Sequence, residues 1–397
     1  DGARLTQYPG WPDTAEAHAR IEAALPYLAK TRNTSVSWAL RTILAVVYGW
    51  MEPAHERNWK RRDGLVRERA GDAAWPRDTL RSLHVKRVGT EWSRREAGQD
   101  DDILNYALEW GFFTRCQWGE YDTALYELER CWGQTPGTAS PIGGGERPKP
   151  GREIRSAADA AEAVKGYVDA IAALPVRATA THISTDLDLS WDQWDAAEGR
   201  FAAALERRAE AGPAERSVYA AYINELFLNR LEAVAPHVVF QFSFAAEPLP
   251  FETGSRLRQD TVAQIAAMIG RHPNLHFQCS LASRHANQSL CTLCRELPNF
   301  SLSGYWWHNF FPSVIRQIVD ERLDMLPLNR QIGFFSDAYC VEWIYGKALL
   351  MRQCLAAELA KRVVRGQYHF DEALAIAREI LYETPRELLG FAPSESL

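Results

Sequence analysis

From about residue 80 the chain repeats one pattern, a short β-like run followed by a longer run of helical spacing. The stretch 176–185 (VRATATHIST) alternates as a half-buried strand does, 84–91 (HVKRVGTE) is strand-like, and 112–117 carries a fainter form of the same signal. Runs at 238–245, 275–281, 300–305 and 332–336 follow at even spacing, which makes seven strands. Between them, 156–173, 194–211, 217–235 and 261–271 have helical periodicity, and Ser156 stands where an N-cap belongs. Strand then helix, repeated this often, specifies a parallel sheet with crossover helices; a single (β/α)8 TIM barrel is the expected form, which this length allows without deciding it.

An eighth strand is missing from this count. Residues 14–80 are helical throughout, in pieces at 14–29, 37–48, 58–69 and 74–83, so the first strand is expected upstream of Asp1. A barrel without it would leave two unpaired edges beside an apolar interior. The alternative is a seven-stranded or open barrel that starts naturally at Asp1. The expected organisation is one barrel domain over 1–397, with a helical region at 1–80, a flexible loop at 137–151 (GTASPIGGGERPKPG) and C-terminal helices at 351–397.

Composition narrows the class. Hydrophobic residues make up 46% and charged residues 24%, enough for a large core and unlike a disordered chain. The net charge of -6 is small and the basic residues are scattered, which excludes a nucleic-acid backbone as the expected partner. No apolar run is long enough to span a bilayer and no signal-peptide pattern opens the chain, so no membrane partner and a cytoplasmic location are expected. The 7 cysteines are irregularly spaced and read as reduced thiols; Cys291 and Cys294 sit in an apolar-periodic stretch, as buried helix residues. The 14 tryptophans suit aromatic walls around a polar-ligand pocket, and equally core packing or the contacts of a homo-oligomer, which is the expected assembly.

In such a barrel the chemistry sits where strands end. Candidates in chain order are Glu91 and Trp92, Gln117 and Glu120, His182 with Asp186 and Asp188, Ser243 and Glu247 with Arg256 and Arg258, and Arg284, His285 and Asn287. Tyr305, Trp306, Trp307, His308 and Asn309 follow, then Ser336-Asp337. Asp337 is the sharpest of them. A lone carboxylate closing an apolar strand is costly to bury unless it binds a metal or a cation, and it is placed for proton transfer; an N-cap for the next helix is the plainer alternative. The 305–309 cluster joins stacking faces to hydrogen-bonders, as sugar-like ligands require, unless its tryptophans are core and His308 merely exposed. Arg284 could clamp a carboxylate bidentately or lie free on the surface, and His182 could face either the barrel or the helices.

The residues also resemble a family. Phe277-Gln-Cys-Ser-Leu-Ala-Ser-Arg-His-Ala-Asn287 is similar to the segment in which a uronate isomerase strand runs into Leu-Asn-Pro-Arg-Asp-Asn. Gly304-Tyr-Trp-Trp-His-Asn309 resembles that family's Gly-Ser-Gly-Trp-Trp-Phe-Asn-Asp, and Gly333-Phe-Phe-Ser-Asp-Ala338 its Gly-Met-Leu-Thr-Asp-Ser. Arg32-Asn-Thr-Ser35 and the helices after it more loosely resemble the wider amidohydrolase group. The resemblance implies an amidohydrolase-type barrel with one divalent metal, zinc, that interconverts aldose and ketose hexuronates through a cis-enediol. Asp337 would be the metal ligand or proton shuttle, the other ligands lying upstream of Asp1; His182 is a second catalytic candidate by its strand position alone. Arg284 would hold a sugar-acid carboxylate, with Trp306, Trp307 and Asn309 lining the pocket; His285, Tyr305, His308 and Ser243 are further substrate-binding candidates by their strand-end positions. This chain departs from the family in having no His-x-His, in reading Gln241-Phe-Ser243 where the family has Gln-Leu-His, and in placing Tyr339 where an arginine is expected. A hydrolase, decarboxylase or dehydratase of a small carboxylic acid or lactone, or an inactive binding or assembly subunit, are the alternatives on the same barrel.

Overall fold

The computed structural model describes residues 14–53, 55, 57–91, 104–109, 128–129, 132, 151–183, 197–207, 213–244, 260–281, 284–304, 310–338 and 340–392. The chain divides into two compact units. One holds the described residues of Asp1–Lys86, Asn309–Ser313 and Ser336–Cys354, the other those of Arg87–His308, Val314–Phe335 and Leu355–Leu397.

Among the described residues the second unit is built on seven parallel strands: β1 (Val88–Glu91), β2 (Leu104–Glu109), β3 (Ala178–Ile183), β4 (Val239–Phe244), β5 (Phe277–Leu281), β6 (Phe300–Ser303) and β7 (Gln331–Ile332). Each pairs with the next in chain order, the order of an unrolled α/β barrel. The helices that cross between them are α5 (Ala157–Ala172), α6 (Ala197–Glu206), α7 (Pro213–Val234), α8 (Thr261–Arg271), α9 (Asn287–Glu296) and α10 (Pro312–Met325), the last beginning within the other unit. Ser156 caps α5 as expected, its side chain accepting from the Asp159 amide. Alternate strand residues point to the helices and close the core: Phe240 lies 5.6 Å from Phe277 in an edge-on pair, and Phe242 stacks on Phe300 at 6.3 Å. Cys279, Cys291 and Cys294 join this core, the last two with thiols pushed up by burial to about 11 and about 12, as inert buried thiols require.

Three strand boundaries differ from the sequence expectation. The first strand starts at Val88 rather than residue 84, because 83–85 still complete a turn. Val85 donates to the Leu80 carbonyl, and His84 takes a left-handed φ of 55°. The second strand occupies Leu104–Glu109, a run the alternation did not single out, and 112–117 falls outside the described residues. The last strand has only two residues in the ladder. The next amide, Gly333, donates to the Ile380 carbonyl instead, inside the π-helical turn Glu379–Glu383. The C-terminus is likewise one long helix α11 (Val341–Val364), starting well before residue 351 and running from the first unit into the second, followed by α12 (Phe370–Arg378), that turn and α13 (Thr384–Leu388). Beyond it, the Phe391 ring receives the guanidinium groups of Arg87 and Arg177 at 5.6 Å and 5.4 Å.

The first unit contains α1 (Thr14–Thr31), α2 (Ser35–Tyr48), α3 (Trp59–Ala70) and α4 (Trp75–Ser82), as the helical reading of 14–80 expected, with the start of α11. Asp63 on α3 receives Arg67 at 2.6 Å and His18 of α1 at 2.9 Å. Gly346 lets α11 approach α2 closely, since a Cβ there would meet Ile43 at 2.8 Å. Residues 137–150 of the expected loop fall outside the described set.

Candidate functional site

Parallel register arranges the strand residues in rows across the sheet. Phe240, Phe242, Phe277, Cys279, Phe300 and Leu302 face the helical core, so the residues between them face the other way. That opposite face is polar. One row runs Ala180, Gln241, Gln278, Ser301; the next, nearer the C-terminal strand ends, runs His182, Ser243, Ser280, Ser303. Gln241 donates to Gln278 at 2.7 Å, Ser301 is 2.9 Å from the His276 ring, and Ser303 bonds the Cys279 carbonyl at 3.4 Å. Gln278, Ser280, Ser301 and Ser303 are buried, whereas Gln241 and Ser243 keep partial exposure.

Two expected site residues, His182 and Ser243, are thus direct register partners on β3 and β4. The His182 side chain lies outside the described atoms, so the choice left open for it narrows only by its row. After β5 the chain enters a single 3-10 turn, Arg284–Ala286, where Arg284 and His285 are both exposed. The Arg284 guanidinium is not free on the surface: it donates to the Gln317 side chain on α10. Asn287 is fully buried, donating to Glu321 at 2.6 Å and accepting from Arg322 at 3.0 Å, which ties α9 to α10 rather than lining a pocket. Trp92, Gln117, Glu120, Asp186, Asp188, Glu247, Arg256, Arg258, Tyr305, Trp306, Trp307, His308 and Asn309 fall outside the described residues.

Asp337 belongs to the other unit. It does not close the ladder, which ends at Ile332, and it is not the N-cap of α11, which starts at Val341; it is exposed, in a left-handed backbone conformation with φ 44°. Asp tolerates that conformation better than most residues. Its carbonyl accepts a hydrogen bond from the Lys347 ammonium at 2.5 Å. Lys347 is 5% exposed and lies 4.7 Å from the Phe310 ring centre. Burial pushes its pKa below the usual lysine range, against the pull of Asp337 and Cys340. Nearby, Glu342 accepts from Tyr48 at 2.6 Å and from the Trp75 indole at 2.9 Å; burial alone would raise its pKa, but these bonds outweigh burial and hold it low. Lys347 and the Ser280–Ser303 row were both missed from sequence. A lysine within the otherwise apolar run 343–351 (WIYGKALLM), and the repeated patterns FQFSF, FQCSL and FSLS, are the signals that could have found them.

A divalent ion needs several converging His, Cys, Asp or Glu side chains. Among the described residues no group of three such side chains could hold one, and the described neighbour of Asp337 is a cation. The described residues therefore do not fit a resident metal.

The fold is a parallel α/β fold of barrel type, with its polar sheet face leading to the strand ends. Comparison of the sequence with protein-family models and with curated proteins finds no match. Among solved structures, the chain is similar to a uronate isomerase from Thermotoga maritima, with TM-score 0.71 and 12% identity over 91% of this chain and 80% of that one. A glucuronate isomerase from Caulobacter crescentus gives 0.69 and 14% identity over 92% and 77%. A uronate isomerase from Bacillus halodurans gives 0.66 and 14% identity over 98% and 86%. A proposed metal-dependent hydrolase from Lactobacillus casei follows at 0.55 and 12% identity, over 91% and 86%. The chain shares the fold of the uronate isomerases, as the sequence resemblance implied.

Proposed function

We propose that this chain is an enzyme that interconverts aldose and ketose forms of a hexuronate-like sugar acid. The observation that carries the reading is the shared fold with three uronate isomerases over more than nine-tenths of the chain. In it, Arg284 and His285 receive the carboxylate, and Ser243, Tyr305, Trp306, Trp307, His308 and Asn309 line the pocket. His182 and Asp337 are separate candidates for carrying the proton that leaves C2 and is returned at C1 of the enediol, while the O2 hydroxyl proton passes to O1, with no change of mass. A divalent ion, zinc, with Asp337 as one ligand, belongs to this reading only through residues outside the described set, and no step is assigned to it. The active species is read as a cytoplasmic homo-oligomer of a single barrel domain.

The test is a panel of hexuronates followed by NMR, with metal content measured on the same preparation. We expect ketose to appear, and Arg284→Met to raise KM about tenfold or more with a smaller change in kcat. Metal-loaded full-length protein that turns over no hexuronate sinks the substrate assignment. The similarity to a proposed metal-dependent hydrolase supports a second reading, hydrolysis or lyase chemistry on a small carboxylic acid or lactone. Mass spectrometry separates the two, because only the second changes the mass of the product.

A further inference from the structure

We infer that the row Ser243, Ser280, Ser303, together with Gln278, recognises an uncharged polyhydroxyl chain, that of a sugar or polyol, by hydroxyl hydrogen bonds that require no divalent ion. The inference rests on the reading that ligands bind at the strand ends, and adds what they are recognised by. Three serines occupy one register level on three adjacent strands, about 4.8 Å apart from strand to strand, on the face turned away from the helical core.

The second observation is that Ser280, and Gln278 in the neighbouring row, have unmet hydrogen-bonding capacity. The Ser280 hydroxyl and the Gln278 amide nitrogen have no partner among the described residues, and both side chains are 3% exposed. The Gln278 oxygen is already engaged by Gln241, so turning the amide over would only exchange which atom lacks a partner. Buried polar groups left unmatched are rare because they cost free energy, unless a ligand or an ordered water offsets that cost. A serine hydroxyl donates and accepts, which matches the alcohol groups of a sugar. The described side chains of these two rows carry no charge, so nothing there favours a carboxylate over a hydroxyl. Within the row Ser243 keeps partial exposure, whereas Ser280 and Ser303 are buried.

The probes are glucose, sorbitol and glucuronate, titrated calorimetrically against the full chain with and without EDTA. All three are expected to bind, with affinities unchanged by the chelator. Ser280→Ala should weaken each about tenfold, the worth of one buried hydrogen bond. The same variant should unfold at an equal or higher temperature without ligand, because it removes a buried hydroxyl that has no partner; Ser303→Ala provides a second variant. Failure of glucose and sorbitol to bind, loss of binding in EDTA, or unchanged affinities in Ser280→Ala would each overturn the inference, the last meaning that ordered water alone meets the hydroxyl. Hexuronate turnover with unchanged binding in Ser280→Ala leaves the isomerase reading standing and removes this one. Tenfold weaker binding in a chain that isomerises no hexuronate does the reverse.

Discussion

His276 offers a quantitative check on the packing behind the polar face. It precedes β5, its ring lies 2.9 Å from the Ser301 hydroxyl, and it is half-buried near Arg330. Burial, with the Arg330 charge second, lowers its pKa from 6.5 to about 4, so the fold binds the neutral ring. Between these values the unfolded chain holds a proton that the folded chain does not, and stability must fall as pH falls. The contribution is intact above 6.5, is lost progressively on the way down, and has gone below about 4. The gap converts to about 3 kcal/mol in full and about 2 kcal/mol near pH 5. These are ceilings, because a ring with an exposed edge is partly screened by water. His276→Gln keeps a hydrogen-bonding side chain but cannot titrate. Urea unfolding of both proteins, measured from pH 7.5 down to 4.5, should show the wild type losing about 2 kcal/mol more than the variant. Parallel curves in that window, or a His276 imidazole titrating near 6.5 by NMR, would refute the argument.

Other substitutions probe separate parts of the molecule. Gly304→Ala adds a Cβ against the backbone of Phe335, 2.7 Å from its nitrogen, at a φ of 35°; it should cost about 3 kcal/mol in thermal unfolding, and a change within 0.5 kcal/mol would contradict that geometry. Gly333→Ala would set its Cβ against the γ-methyl of buried Ile380, which is fixed on a branched Cβ, so it too should destabilise, though without the left-handed φ that adds to the cost at Gly304. Glu225 is held below the usual carboxylate range: burial raises its pKa, but His272 at 3.3 Å and Arg271 at 2.8 Å outweigh it. Glu225→Gln should therefore cost about 3 kcal/mol near neutral pH, and the difference should shrink in acid as the native carboxylate takes its proton. Lys347, with its pKa depressed, is costly to keep charged at neutral pH; Lys347→Met should leave the melting temperature unchanged or raised, and a marked fall would show that its bond to Asp337 outweighs its desolvation.

Much of the fold was legible because outward-facing strand residues and helix stripes obey fixed periods. The helix Thr261–Arg271 and the Ser156 cap lie where the pattern put them. The misplaced strands have physical causes. At 83–85 the local turn that closes α4 overrides a β-like composition, and Leu104–Glu109 carries too little alternation to stand out from its surroundings. The site was less legible. Asp337 was sought at the end of a long last strand, but Gly333 gives its amide to Ile380 and the ladder stops five residues earlier. Which helix would compete for that bond is a tertiary fact, without a local sequence signal.

The two faces of β4, β5 and β6 explain how a chain can share its fold with other structures at only 12–14% identity. The face against the helices, with Phe240, Phe277 and Phe300 in contact, must remain apolar and of suitable volume, and many sequences satisfy that. The opposite face does not hold the helices on, so Gln241, Ser243, Gln278 and Ser280 are free to differ without loss of the core. That separation lets the inner rows vary without loss of the scaffold, so the fold comparison fixes the scaffold and leaves the chemistry to be decided by substitutions on those rows.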